Sequence, residues 1–143
     1  MKVKDSLNVL ADIVNNPDLV ARNGKSFCNI GVQLAAEAFG YVKKFEGKTA
    51  NEIIDIMVSS NDWKKVDYRG ANALANLGGF AVAGARGEPH GHVATVAPGG
   101  MVYSGKWKKE CPIVANVGNK NGFMGSNWAF ITEPGYFICL ETR

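Results

Sequence analysis

The chain has 143 residues, 46% of them hydrophobic and 20% charged, with a formal net charge of +3. That is the profile of one globular domain, residues 1–143, large enough to bury a single core. It excludes a disordered tail and lacks the clustered basic footprint of a nucleic-acid binder. No run approaches the ~18 apolar residues that a membrane span needs, so neither nucleic acid nor membrane is an expected partner.

The first half of the chain reads as helices. Leu7, Leu10, Ile13 and Val14 recur at helical spacing, and Asn15–Asn16–Pro17 ends that helix. A turn at Asn23–Gly24 follows, after which Ser26 is placed to cap a helix running through FCNIGVQLAAEAFG and closing at Gly40. Phe27, Ile30, Leu34 and Ala38 form the expected buried stripe, with Cys28, Val32 and Ala35 on the stripe beside it. Thr49-Ala-Asn-Glu52 has the form of a capping box ahead of IIDIMV. Trp63 and Val66 anchor a loop, and Arg69 to Leu77 gives one more short helix, stopped by Gly78–Gly79.

From Phe80 the texture changes. FAVAGA, HVATVA, MVY, PIVANV, WAFI and YFICL are short apolar or alternating runs divided by Gly, Pro and Asn, which predicts strands. Helices first and strands afterwards define an α+β protein with an antiparallel sheet.

Three cysteines, Cys28, Cys111 and Cys139, leave at least one thiol free, and no CxxC spacing is present. Cys28 falls at about the second position of its helix, where unpaired backbone N–H groups and the helix dipole favour the nucleophilic thiolate. The chain has two histidines, His90 and His92. His92 opens a strand and is therefore held at a rigid sheet edge, as a general base requires. On a continuous strand the two imidazoles face the same way, which would permit a metal with Cys28 as third ligand. The spacing of structural zinc sites is missing, so no metal and no cofactor is expected. In PIVANVG, Asn116 shares a strand face with Val114, while Ile113, Ala115 and Val117 share the other. There it can accept from the imidazole Nδ1–H and turn Nε2 toward the thiol, the orienting role of Cys-His-Asn sites. Asn119 and Asn121 are weaker candidates in a turn.

The order of these elements, a cysteine opening a helix in SFCNIGVQLAAEAFG, a GHVATV strand, then a strand with a polar residue in PIVANVG, resembles the papain-like peptidoglycan hydrolases of the NlpC and CHAP groups. The likeness spans roughly residues 20 to 140. It implies a papain-like fold, with N-terminal helices packed on a C-terminal antiparallel sheet. It also implies a Cys28–His92–Asn116 site that hydrolyses an amide of the peptidoglycan stem peptide through an acyl-enzyme. The third position varies among His, Asn, Gln and Glu in that superfamily. Two alternatives stand beside this: a non-cleaving papain-like module of a phage or secretion apparatus, and a papain-like amidase with another substrate. Asp5, Asn8 and Asp12 interrupt the N-terminal apolar residues, so no signal peptide is expected. Cytoplasmic synthesis followed by delivery to the wall through lysis or a secretion system is the corresponding expectation, with an immunity or secretion partner.

Overall fold

A computed structural model describes residues 1–141. The amphipathic N-terminal segment forms α1 (Val3–Val14), which buries Leu10, Ile13 and Val14. Ser6 is also buried there because its hydroxyl donates to the Val3 carbonyl at 2.8 Å, whereas Leu7 faces solvent. A single 3₁₀ turn (Pro17–Leu19) follows, capped by Asn16, whose side chain accepts from the Asp18 N–H. The expected turn at Asn23–Gly24 is present, with both residues at positive φ and Arg22 paired to Lys25.

The next helix, α2 (Cys28–Ala38), differs from expectation in two ways. Its N-cap is Phe27, without a side-chain cap, so Ser26 lies outside the helix and Cys28 is its first residue. Its buried stripe is Cys28, Gly31, Val32, Ala35 and Ala36, while Leu34 and Ala38 are exposed. The cause is close packing: a Cβ on Gly31 would sit 2.8 Å from Val117 Cγ2, so only the glycine-bearing side can approach the sheet this closely.

The capping box forms as expected at the head of α3 (Ala50–Ser59): Glu52 N–H donates to Thr49 Oγ1 at 3.2 Å and Thr49 N–H to Glu52 Oε1 at 3.0 Å. Trp63 and Val66 lie in a strand, β1 (Trp63–Val66), and not in a loop, because the sheet reaches out to pair them with the C-terminal strand. Asp67 caps α4 (Tyr68–Ala75), and Gly78, at φ 82°, turns the chain where any Cβ would run into the Met1 carbonyl.

Among the described residues, β1 and five strands from the second half form a six-stranded antiparallel sheet in the order β1-β6-β2-β3-β4-β5. HVATVA and MVY are one long strand, β3 (His92–Ser104), whose register shifts between Val96 and Met101 around Pro98–Gly99–Gly100. It lies between β2 (Ala81–Ala85) and β4 (Lys109–Asn116). GFMG forms the edge strand β5 (Gly122–Gly125), and YFIC lies in β6 (Gly135–Cys139). WAFI is not a strand. Its first residues complete a short helix, α5 (Ser126–Ala129), entered directly from β5.

The protein is thus mixed helix and antiparallel sheet, α+β as expected, with helices on both faces of the sheet. Val82, Val93, Ala97, Ala115 and Val117 meet α1, α2 and α3, while Ala81, Ala83, Ala94, Val96, Val114 and Tyr136 meet α4 and Phe130. The alternation of side chains along each strand sorts the two sets. Among the described residues, no helix is long and apolar enough to cross a membrane. Replacing Thr49 by Ala removes one half of the capping box and is expected to cost about 1 kcal/mol. Urea unfolding checks this, through a lowered midpoint at unchanged slope.

Candidate active site

His92 is the first residue of β3, at the mouth of a central strand and not at a sheet edge. Its strand pairs Ala85 with His92 on one side and Thr95 with Ala115 on the other. Continuing that second register brings Asn116 opposite Ala94, so Asn116 and His92 are diagonal neighbours on one face. They meet: His92 Nε2 and Asn116 Oδ1 are 2.7 Å apart. Val114 shares the face of Asn116, and Ile113, Ala115 and Val117 the opposite one, as expected.

The nitrogen used is the reverse of expectation. The Asn116 Nδ2 group donates to the Lys120 carbonyl at 2.8 Å, so its Oδ1 must face the ring. An oxygen accepts, which puts the proton on Nε2 and leaves the lone pair of a neutral imidazole on Nδ1. Nδ1, not Nε2, is therefore the basic atom available to a thiol. Two further contacts fix the ring. Phe130 lies against it at 4.8 Å between centroids. Gly118 lets the backbone pass so close that a Cβ there would be 3.2 Å from His92 Cε1. Burial holds the imidazole below its ordinary value of 6.5, partly offset by the hydrogen bond to Asn116.

Cys28 opens α2 from the other side of the sheet, beside the backbone of Val93. Burial pushes its thiol up from the ordinary 9.0, and the backbone amides of Val93, Asn29 and Cys28 pull only partly against this. The thiolate expected from the helix start is thus not the resting form: at 8% exposure, desolvation exceeds what the helix amides return. No hydrogen bond among the described residues joins Cys28 to His92; the structure brings His92 and Asn116 together and sets Cys28 on an adjoining wall. Two cavities of about 640 and 690 Å³ open on these walls, Cys28 lining the first and His92 with Asn116 the second. They have Ser26, His90 and Gly91 in common as lining residues, so the two lie next to one another around the end of β3.

His90 lies in the loop before the strand and does not continue its alternation with His92, so the two imidazoles are not presented as a strand pair. Asn121 ties the neighbouring loop, accepting from the Gly118 N–H at 2.9 Å and donating to the Leu19 carbonyl at 2.9 Å. Asn119 is exposed on the cleft rim. Trp128, 81% exposed, lines the His92 cavity, whereas Tyr103 and Trp107 line neither cavity. All three cysteines are free thiols.

One residue of the site escapes sequence reasoning. Asn51 of α3 donates to the Gly87 carbonyl at 2.9 Å and accepts from the Gly87 N–H at 3.3 Å, clamping the loop that leads to His92. In the sequence Asn51 is only a polar residue inside a capping box, and nothing there signals a partner 36 positions away. Comparison with known proteins adds nothing to this geometry: no protein-family model and no curated protein matches the chain.

Two measurements follow from the electrostatics. His92 titrates below 6.5 by NMR, and Asn116→Leu lowers it further, because the lost hydrogen bond is what favours the protonated ring. Alkylation of Cys28 by iodoacetamide is slow at neutral pH and keeps climbing beyond pH 9, as a raised thiol requires. A plateau reached near neutrality would instead mark a preformed thiolate.

Proposed function

We propose that this chain is a papain-like cysteine amidase or peptidase that hydrolyses an amide bond of bacterial peptidoglycan. The observation that carries the reading is the imidazole held at 2.7 Å by Asn116 through Nε2, in a cavity that shares Ser26, His90 and Gly91 with the one lined by the helix-opening Cys28. The order cysteine, histidine, asparagine along the chain supports it, as does the likeness of SFCNIGVQLAAEAFG, GHVATV and PIVANVG to the NlpC and CHAP groups, which supplies the substrate.

The chemistry is acyl transfer. His92 Nδ1 takes the Sγ proton of Cys28 as the sulfur attacks the carbonyl carbon, whose oxygen becomes the oxyanion. The backbone N–H of Cys28 at the helix start is the donor available to it. The imidazolium then gives its proton to the departing amine, leaving a thioester. Water, deprotonated by the same imidazole, attacks the thioester, releases the carboxylate and restores the thiol. With both groups neutral at rest, the proton moves during attack and not before it. Catalytic partners are commonly set apart in the empty site and close on substrate.

The absence of a Cys28–His92 hydrogen bond, together with the raised thiol, favours a second reading, a papain-like module that binds without cleaving. Purified sacculi separate the two. Wild-type protein releases muropeptides identifiable by mass spectrometry, which also reports the bond cut. Cys28→Ala and His92→Ala lose activity by about three orders of magnitude, and His90→Ala keeps most of it. Binding of sacculi with no release by wild type would establish the non-cleaving module; cleavage of some other amide with sacculi left intact would sink the cell-wall assignment.

A further inference from the structure

The chain carries 13 Asp and Glu residues, yet among the described residues none lines either half of the cleft. The charged side chains there are Lys25 on the Cys28 side and Arg86 and Lys120 on the His92 side. Arg86 is already paired with Asp55. Lys25 and Lys120 have no ion-pair partner among the described residues. Of these two, Lys120 stands in a special relation to the chemistry, because its backbone carbonyl accepts the 2.8 Å hydrogen bond that orients the Asn116 amide. The backbone of this lysine is thereby fixed to the group that holds the imidazole, and the residue is exposed and lines the His92 cavity. A lysine anchored through its backbone beside the group that holds the imidazole, in a cavity whose described lining carries no carboxylate, favours an anion on the substrate over the neutral form.

We propose that Lys120 is a specificity-determining residue, pairing a free carboxylate that the peptide substrate carries next to the scissile amide. This rests on the acyl-transfer reading of the same cleft and names the substrate class it takes: peptides with an ionised carboxylate beside the cut, in preference to the same peptides amidated there. Lys120 acts through binding. It gives and takes no proton in the reaction.

The test uses L-alanyl-γ-D-glutamyl-diaminopimelate with the glutamyl α-carboxyl either free or amidated. Calorimetry on the full-length Cys28→Ala protein reads binding without turnover. The free acid binds about tenfold more tightly than the amide, as expected for one charge-assisted contact, and the advantage shrinks as salt is raised. Adding Lys120→Met, which keeps the backbone carbonyl and hence the Asn116 bond, brings the ratio toward one. Lys120→Glu inverts it. Lys64→Met, on β1 at the far edge of the sheet, leaves the ratio unchanged. Equal affinity for both peptides, no binding of either, or a preference that survives Lys120→Met overturns the assignment. A Lys120-dependent preference in the Cys28→Ala protein with no hydrolysis by wild type upholds the carboxylate site and overturns the acyl-transfer reading, so the two failures are told apart.

Discussion

The site hangs on the hydrogen-bonded chain that runs from the Lys120 carbonyl through the Asn116 amide to His92 Nε2. An asparagine has one accepting and one donating end, so engaging the NH₂ group with a fixed carbonyl settles which end the imidazole meets. Much of the surrounding structure serves that chain. The β3–β4 register makes the two side chains diagonal neighbours. Gly118 removes a Cβ that would crowd the ring, and Asn121 ties the Gly118 N–H to a loop anchored on Leu19. Phe130 packs tilted against the imidazole. Asn116 itself is 4% exposed, and a buried amide is tolerated because both its ends are satisfied.

The burial that fixes the ring also sets its charge. Desolvation lowers the imidazole and raises the thiol, so both move toward the neutral form. A helix start and three backbone amides are arguments for a thiolate, but each contributes a partial charge, whereas burial removes the whole hydration shell of an anion. The balance falls to burial. The resting state is therefore a thiol and an imidazole, and in the proposed acyl transfer the thiol gives up its proton during attack.

How much of this can be read from the chain follows from the range of the forces involved. Local chemistry was legible: the Thr49–Glu52 capping box, the Asn23–Gly24 turn and the two faces of the Ile113–Val117 strand all emerge from contacts within a few residues. Sequence and structure part where a partner far away decides the outcome. In α2 side-chain size favours a buried stripe through Leu34, but close approach of Val117 to Gly31 selects the neighbouring stripe. Trp63 and Val66 became a strand because β6, some seventy residues on, pairs with them. WAFI has strand composition and forms the end of a helix. At the site, residue identities for a histidine held by an asparagine were legible, but not the nitrogen. That depends on the Lys120 carbonyl, a backbone atom with no mark in the sequence.

The position of Cys28 relative to His92 follows from strand geometry. His92 points toward the α4 face and Cys28 approaches from the α2 face, so they can work together only around the end of β3, where the sheet no longer separates them. The rim at that end is the loop 86–91, which includes a cis Glu88–Pro89 peptide and supplies His90 and Gly91 to both halves of the cleft. Its path is held by Asn51 at Gly87, and Gly91 has no room for a Cβ between the Asn51 amide and the Ala85 carbonyl. The sulfur rides on α2 and the imidazole on β3, and α3 pins the loop between them through one side chain. Three separate elements thus set the gap across which the proposed proton transfer would run. Asn51, by holding Gly87 in the loop that leads into β3, is a positioning residue for His92.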